Sequence, residues 1–173
     1  MLSSLIRWSG VAALLSGALL IASGLLPLMI SSTFLWSISY ILALFFVLVG
    51  LVGLHTLQKG HYGFIGRIGF YTLFVAYTVQ ILSIVVFFWT ESAVLFRWLL
   101  WVGTLGLLVG FVLYGLATRR AGVLPGWCGD ALIIGFPLAI VLAQYGAILF
   151  GLVWLALGYI LLSRRDVTGH PRT

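Results

Sequence analysis

Long apolar runs separated by short polar breaks extend along the whole chain and predict its helices. The breaks fall at residues 31–33, 57–63, 90–92, 119–126 and 144–146. Most runs are close to the length of about 20 residues that an α-helix needs to cross a bilayer. The last apolar stretch, 127–162, is too long for one span and is divided at Gln144-Tyr145-Gly146, its main polar interruption. The pattern therefore predicts one all-α domain over residues 1–173, a polytopic transmembrane six-helix bundle with spans at about 8–30, 34–56, 65–89, 97–118, 127–143 and 146–162.

Composition agrees with a membrane location and excludes most soluble classes. The 173 residues are 63% hydrophobic and only 7% charged, whereas soluble domains carry about 25% charged residues. So few charges could not cover the surface of a water-soluble fold. The excess of nine Lys and Arg over three Asp and Glu is explained by membrane topology, so no nucleic-acid partner is predicted.

The placement of the basic residues predicts the orientation. In a six-span arrangement only Arg97 falls on one side of the membrane. The other eight basic residues share the opposite side: Arg7, Lys59, Arg67, Arg119, Arg120, Arg164, Arg165 and Arg172. Because cytoplasmic loops are enriched in Lys and Arg, both termini are expected in the cytoplasm. A cleaved secretory signal over the first span is the less favoured interpretation, because the apolar run continues beyond Ala22-Ser23-Gly24 to Ile30.

Small residues recur at helical spacing and predict packing faces. In lipid, helices associate through close backbone approach at small residues. We expect internal packing within the bundle, and a dimer or partner-docking face is the alternative. The residues concerned are Gly10, Gly17 and Gly24 in the first span, Gly106 and Gly110 in the fourth, and Gly151 and Gly158 in the sixth.

Polar groups at membrane depth are the candidate functional residues. Asp130 begins the fifth span and is expected to pair with Arg67, or with Arg119 or Arg120; its alternative role is to bind a proton or cation. Tyr77 and Gln80 lie on a polar face of the third span with Thr72, Thr78 and Ser83. Pro137 is expected to kink the fifth span. A pocket between the kinked fifth helix and the polar third helix is therefore predicted, with Asp130, Arg67, Tyr77, Gln80 and Pro137 as the possible solute or ion pathway.

The sequence gives little support for cofactor binding or for enzyme activity. His55 is the weak candidate for binding one haem or chlorophyll, although capping its helix end is the favoured role. One cysteine, Cys128, and three scattered histidines predict no metal site. No HExxH or GxSxG motif is present, so no catalytic residue is predicted.

Two segments near the C-terminus resemble a known group of proteins. The segments are Arg119-Arg120-Ala121-Gly122-Val123-Leu124-Pro125-Gly126-Trp127, and Trp154-Leu155-Ala156-Leu157-Gly158-Tyr159 followed by Arg164-Arg165. Over about the last third of the chain, they resemble small polytopic bacterial membrane proteins of actinobacterial and Chloroflexota type. The resemblance implies a bacterial plasma membrane and implies no activity or site residue.

From the sequence we expect one of two functions, which belong to different classes. The first is a non-enzymatic structural or accessory subunit of a membrane complex, in contact with lipid or an apolar cofactor and associating with other membrane subunits or with itself. The alternative is a small transporter or solute-binding membrane component that uses Asp130 and the polar face of the third helix.

Overall fold

The computed structural model describes residues 2–29, 33–90 and 92–163, and within them it confirms the predicted all-α bundle. Six α-helices follow one another along the chain. They are α1 (Leu2–Met29), α2 (Thr33–Gln58), α3 (Gly63–Thr90), α4 (Ala93–Ala121), α5 (Gly126–Val141) and α6 (Gly146–Ser163). Arg164, Arg165 and Arg172, which entered the charge argument, lie outside the described residues.

Five of the helices in the described ranges are long and apolar enough to cross a membrane; α5 is shorter. Its 16 residues give a length of about 24 Å, against about 30 Å of hydrocarbon. The helix ends early because Ala143 adopts a left-handed φ of 49° and a 3-10 turn occupies Ala143–Tyr145. This turn lies where the sequence predicts the division between the last two spans.

The turn between α5 and α6 depends on Gly146. A Cβ atom at this position would overlap the carbonyl group of Ala139 on α5. Glycine therefore allows the two helices to approach closely directly after the 3-10 turn. The same approach brings Ala143 and Ala147 to the wall of the bundle interior.

The six helices form a closed ring in chain order. Each helix packs on the next, and α1 closes the ring through an extensive interface with α6. The most extensive interface is that between α3 and α4, whereas α2 and α3 touch much less. The ring encloses a buried core in which Phe111 of α4 lies against the rings of Tyr77, Phe136 and Phe150.

Small residues bring α1 and α6 together inside the ring. A Cβ atom at Gly17 would lie 2.6 Å from the carbonyl oxygen of Gly151, and one at Gly158 would lie 3.0 Å from that of Gly10. The hydroxyl groups of buried Ser16 and Ser23 donate to carbonyls of their own helix at 2.8 Å, so they need no partner from another helix. The glycines of the first and sixth spans thus face each other within one chain.

The glycines of α4 are used in the same way against α3. A Cβ atom at Gly106 would lie 2.9 Å from the Cβ of Ala76, and one at Gly110 would lie 2.8 Å from the side chain of Leu73. Gly24, the third of the α1 series, is buried and lines a cavity near the end of its helix.

Candidate functional site

A cavity of about 340 Å³ is lined by residues of all six helices and is partly open to the surface, where Trp101 and Ile140 are 60% and 46% exposed. It lies toward the end of the bundle that contains the α5–α6 turn, since Ala143 and Gly146 are part of its wall. Its volume is at the lower end of the range for small-molecule sites, about 300–1,000 Å³. The lining is Leu20, Tyr40, Gln80, Leu100, Trp101, Thr104, Leu107, Phe136, Ala139, Ile140, Ala143, Gly146, Ala147 and Phe150. We call this space the central cavity.

Gln80 supplies the amide group in the wall of the central cavity. Its side chain is 3% exposed, and its Nε2 donates to Oγ1 of Thr104 at 3.0 Å. The hydroxyl of Thr104 in turn donates to the carbonyl oxygen of Leu100 at 2.8 Å. The hydroxyl of Thr104 can therefore only accept a hydrogen bond from Gln80. As a result the NH2 group of the Gln80 amide, and not its oxygen, points at Thr104.

This chain of hydrogen bonds leaves the Oε1 atom of Gln80 unsatisfied. Oε1 is buried and has no hydrogen-bond partner among the described residues. A buried acceptor without a partner costs about 1–3 kcal/mol. The wall of the central cavity is largely apolar, and its polar side chains are those of Tyr40, Gln80, Trp101 and Thr104.

Aromatic side chains close the cavity on the side that faces the middle of the bundle. Phe136 and Phe150 belong to its lining, and both rings contact Phe111 with centroids 5.1 and 5.2 Å apart. Behind them the hydroxyl of Tyr77 lies beside the indole N–H of Trp154, and both groups are fully buried. This packing separates the cavity from the opposite end of the bundle.

A second cavity adjoins the first, between the end of α1, the start of α2 and the α5–α6 turn. It has a volume of about 310 Å³ and shares Tyr40, Ala143 and Ala147 with the central cavity. Its other lining residues are Ser23, Gly24, Pro27 and Trp36. The rings of Trp36 and Tyr40 stack almost parallel with centroids 5.5 Å apart. We call this space the side cavity.

The structure separates Asp130 from this site and corrects its expected pairing. Asp130 Oδ1 lies 3.1 Å from Nη1 of Arg119, and both side chains are substantially exposed, at 43% and 63%. The predicted pairing with Arg67 is wrong, because α5 packs on α4 and α6 and the first turn of α5 lies beside the last turn of α4. An exposed pair of this kind neutralises a helix end and lines neither cavity.

The polar residues of α3 differ in how far they are buried. Tyr77, Gln80 and Ser83 are buried, whereas Thr78 is exposed and donates to the carbonyl of Phe74 in its own helix. Pro137 lies inside α5 as predicted, and its neighbours Phe136 and Ile140, rather than the proline ring, line the central cavity. Of the five residues predicted for the solute or ion pathway, Gln80 is the one that lines the central cavity, and the wall is formed by all six helices.

His55 belongs to an aromatic cluster at the other end of the bundle. Its Nδ1 is hydrogen-bonded to the hydroxyl of Tyr62, and Phe70 stacks on its ring with centroids 3.9 Å apart. Tyr62 also contacts Tyr114 edge to face, and burial raises the pKa of Tyr62 to about 12. Tyr62 thus occupies Nδ1 of His55, and Phe70 covers one face of its ring. The imidazole that would ligate a haem or chlorophyll is therefore partly engaged by the protein itself.

Several participants in the site were missed by the sequence interpretation. Thr104, Ala143 and Ala147 line the cavities. Thr104 carried a usable signal, because it is the one Ser or Thr between Ser92 and Thr118. Gln58, Tyr114 and Thr118 carry buried side-chain atoms without a hydrogen-bond partner among the described residues; their burial depends on how the helices pack and has no signal in the sequence.

The described residues offer no cluster of three or more His, Cys, Asp or Glu that could hold a metal ion. Comparisons with family models, with curated proteins and with solved structures give no match. The chemistry of the site is therefore argued from its geometry.

Proposed function

We propose that this protein is a non-enzymatic component of a bacterial cytoplasmic membrane that binds a small, largely apolar molecule in the central cavity. The observation that carries the proposal is the cavity itself, about 340 Å³ in volume and lined from all six helices. A concave, mainly apolar space with a few polar groups is the usual form of a small-molecule site. The side chains of Tyr40, Gln80 and Thr104 supply the polar groups of the wall.

A location with both termini in the cytoplasm is part of the proposal. In a bundle that crosses the membrane six times, Arg7, Lys59, Arg67 and the Arg119-Arg120 pair share one end, and Arg97 lies at the other. This asymmetry supports the orientation through the enrichment of cytoplasmic loops in basic residues. The central cavity then opens from the outer half of the membrane.

The transport alternative retains only part of its support. Asp130 is paired with Arg119 at the bundle surface, so a transport cycle based on Asp130 has no connection to either cavity. Gln80 on the polar face of α3 does line the central cavity. We therefore propose binding of an uncharged solute, for which an intramembrane carboxylate is not required.

A role as a structural or accessory subunit is the second proposal, and one observation favours it. A groove between α3 and α4 faces outward, and Tyr71, Val75 and Val102 are exposed along it. An exposed apolar groove of this kind can take a side chain of another helix or a lipid chain. The glycines of α1, α4 and α6 do not add to this support, because they already pack against neighbouring helices of the same chain. Partners would then be membrane lipids, other membrane subunits or a second copy, and nucleic acid has no part in either proposal.

The binding proposal is tested by filling the cavity. Leu100 lines the central cavity and is half-buried on α4, and Leu108, two turns along the same helix, is half-buried but does not line it. With the protein in lipid nanodiscs, n-decane should raise the Tm of the wild type and of Leu108→Trp but not that of Leu100→Trp. A ligand that binds only the folded state stabilises it by RT ln(1 + [L]/Kd). Equal shifts in all three proteins, or none in the wild type, would overturn the proposal.

A further inference from the structure

Arg97 lies on the face of α4 that lines the central cavity. Leu100, Trp101 and Thr104 belong to the wall of the cavity, and they follow Arg97 by three, four and seven residues. Residues at these spacings share one side of an α-helix. Arg97 is therefore on the same face as Trp101, about 6 Å closer to the start of α4.

The central cavity opens to the surface between α4 and α5. Toward the other end of the bundle these helices are in close contact, and a Cβ atom at Gly115 would lie 2.7 Å from the carbonyl oxygen of Gly129. Thr104 and Ile140 are each eleven residues from this contact, on the side of the α5–α6 turn, a distance of about 16 Å along the helices. At that level both helices line the cavity, and Trp101 and Ile140 are exposed. The exposed side of a transmembrane bundle faces lipid, so the opening faces lipid chains.

Arg97 provides a positive charge near this opening, whereas the wall of the cavity carries no charge. Arg97 is exposed, and within the described ranges no ion pair involves it. Among the described residues that line the central cavity there is no Asp, Glu, Lys, Arg or His. The arrangement matches a molecule whose anionic group stays at the surface while its hydrocarbon chain enters the bundle.

We infer that the central cavity takes one acyl chain of a phospholipid with a net negative charge, and that Arg97 binds the phosphate of the same molecule. The inference rests on the proposed binding function and names the class of ligand, because the part inside the cavity is an uncharged chain. A guanidinium group pairs with phosphate through two parallel hydrogen bonds, and basic residues at a membrane surface attract anionic lipids. The phosphate stays outside, because inside the cavity it would lose its hydration without gaining a counter-ion.

Competition between n-decane and the lipid tests the inference at the cavity itself. The protein is placed in nanodiscs of dioleoylphosphatidylcholine, or of an equimolar mixture with dioleoylphosphatidylglycerol, which has the same chains and a net negative charge. One arginine should favour the anionic lipid about fivefold. Because this lipid is half of the mixture, a given rise in the Tm of the wild type should need about threefold more n-decane in the mixed nanodiscs.

Variants of two arginines assign this difference to one end of α4. In Arg97→Gln both kinds of nanodisc should need the same concentration of n-decane. Arg97→Lys keeps the positive charge and should keep most of the difference. Arg120→Gln is the matched control, because Arg120 is also exposed on α4 but lies in its last turn, and it should keep the full difference.

The outcomes separate the inference from the function on which it rests. If n-decane raises the Tm of the wild type in neither kind of nanodisc, the binding function itself is wrong. If the same concentration suffices in both, the cavity binds apolar molecules but the preference for an anionic phospholipid is refuted. These two comparisons use the wild type alone and do not depend on the folding of a variant. A full difference in Arg97→Gln would also refute the inference, because the phosphate would then be bound elsewhere.

Discussion

The side-chain amide of Gln80 on α3 donates to the hydroxyl of Thr104 on α4 across 3.0 Å. This is a side-chain hydrogen bond between the two helices with the most extensive interface in the bundle. Interhelical hydrogen bonds in membranes contribute about 0.6–2 kcal/mol. The bond therefore fixes the register of α3 on α4.

Removal of the acceptor should destabilise the protein. Thr104→Val keeps the shape of the side chain but leaves Nε2 of Gln80 buried without its partner, at an expected cost of about 1–3 kcal/mol in the free energy of unfolding. Thr78→Val is the matched control, because the Thr78 hydroxyl is exposed and bonds only within its helix; its effect should stay within about 0.5 kcal/mol. Unfolding by SDS in mixed micelles measures both, and equal effects would show that the Gln80–Thr104 bond contributes nothing.

A single methyl group should disturb the interface of α1 and α6. In Gly17→Ala the new Cβ would lie 2.6 Å from the carbonyl oxygen of Gly151 and 2.8 Å from the backbone nitrogen of Leu155. Since both contacts are backbone atoms, the helices must move apart, at an expected cost of about 1–3 kcal/mol. The control is Gly126→Ala, where no atom lies within 4 Å of the added Cβ. A Tm for Gly17→Ala equal to that of the control would mean that α1 and α6 are not closely packed in solution.

The ion pair of Asp130 should contribute little to stability. Arg119 and Asp130 are 63% and 43% exposed, and exposed pairs contribute about 0–1 kcal/mol. In a double-mutant cycle, Asp130→Asn and Arg119→Gln should therefore show a coupling energy below about 1 kcal/mol that decreases with added salt. The parallel cycle with Arg67→Gln should be additive within about 0.5 kcal/mol. A larger coupling to Arg67 than to Arg119 would contradict the pairing in the structure.

Alkaline pH should weaken the fold through Tyr62. Burial raises its pKa to about 12 in the folded protein, against about 10 for an exposed tyrosine. Between these values the unfolded chain releases the proton first, so the contribution of Tyr62 is complete below pH ~10 and is lost as the pH rises toward ~12. Tyr62→Phe has no proton to lose, and its Tm should fall less steeply over this window than that of the wild type. Parallel slopes for the two proteins would show that the Tyr62 hydroxyl is not buried.

The number and order of the helices could be predicted because apolar runs and polar breaks are local properties of the sequence. The contacts between side chains of different helices could not be predicted in this way. Asp130 was expected to pair with Arg67, with Arg119 or Arg120 as the alternative, and the structure shows the pair with Arg119. The choice depends on which helices are neighbours, and α5 lies beside α4. Gln80 was recognised as a polar residue at membrane depth. Its partner Thr104 and the wall residues Tyr40 and Ala147 come from other helices, so only the assembled ring of helices reveals the cavity.

A phenylalanine at position 147 should reduce ligand binding, because Ala147 is half-buried and lines both cavities. The added ring of Ala147→Phe occupies space in the central cavity, the side cavity or both. We therefore expect n-decane to raise the Tm of Ala147→Phe in nanodiscs less than it raises the Tm of the wild type. Ala22→Phe is the control, since Ala22 is exposed on α1 beside Ser23, and its shift should equal that of the wild type. An undiminished shift in Ala147→Phe would show that n-decane does not occupy the space beside Ala147.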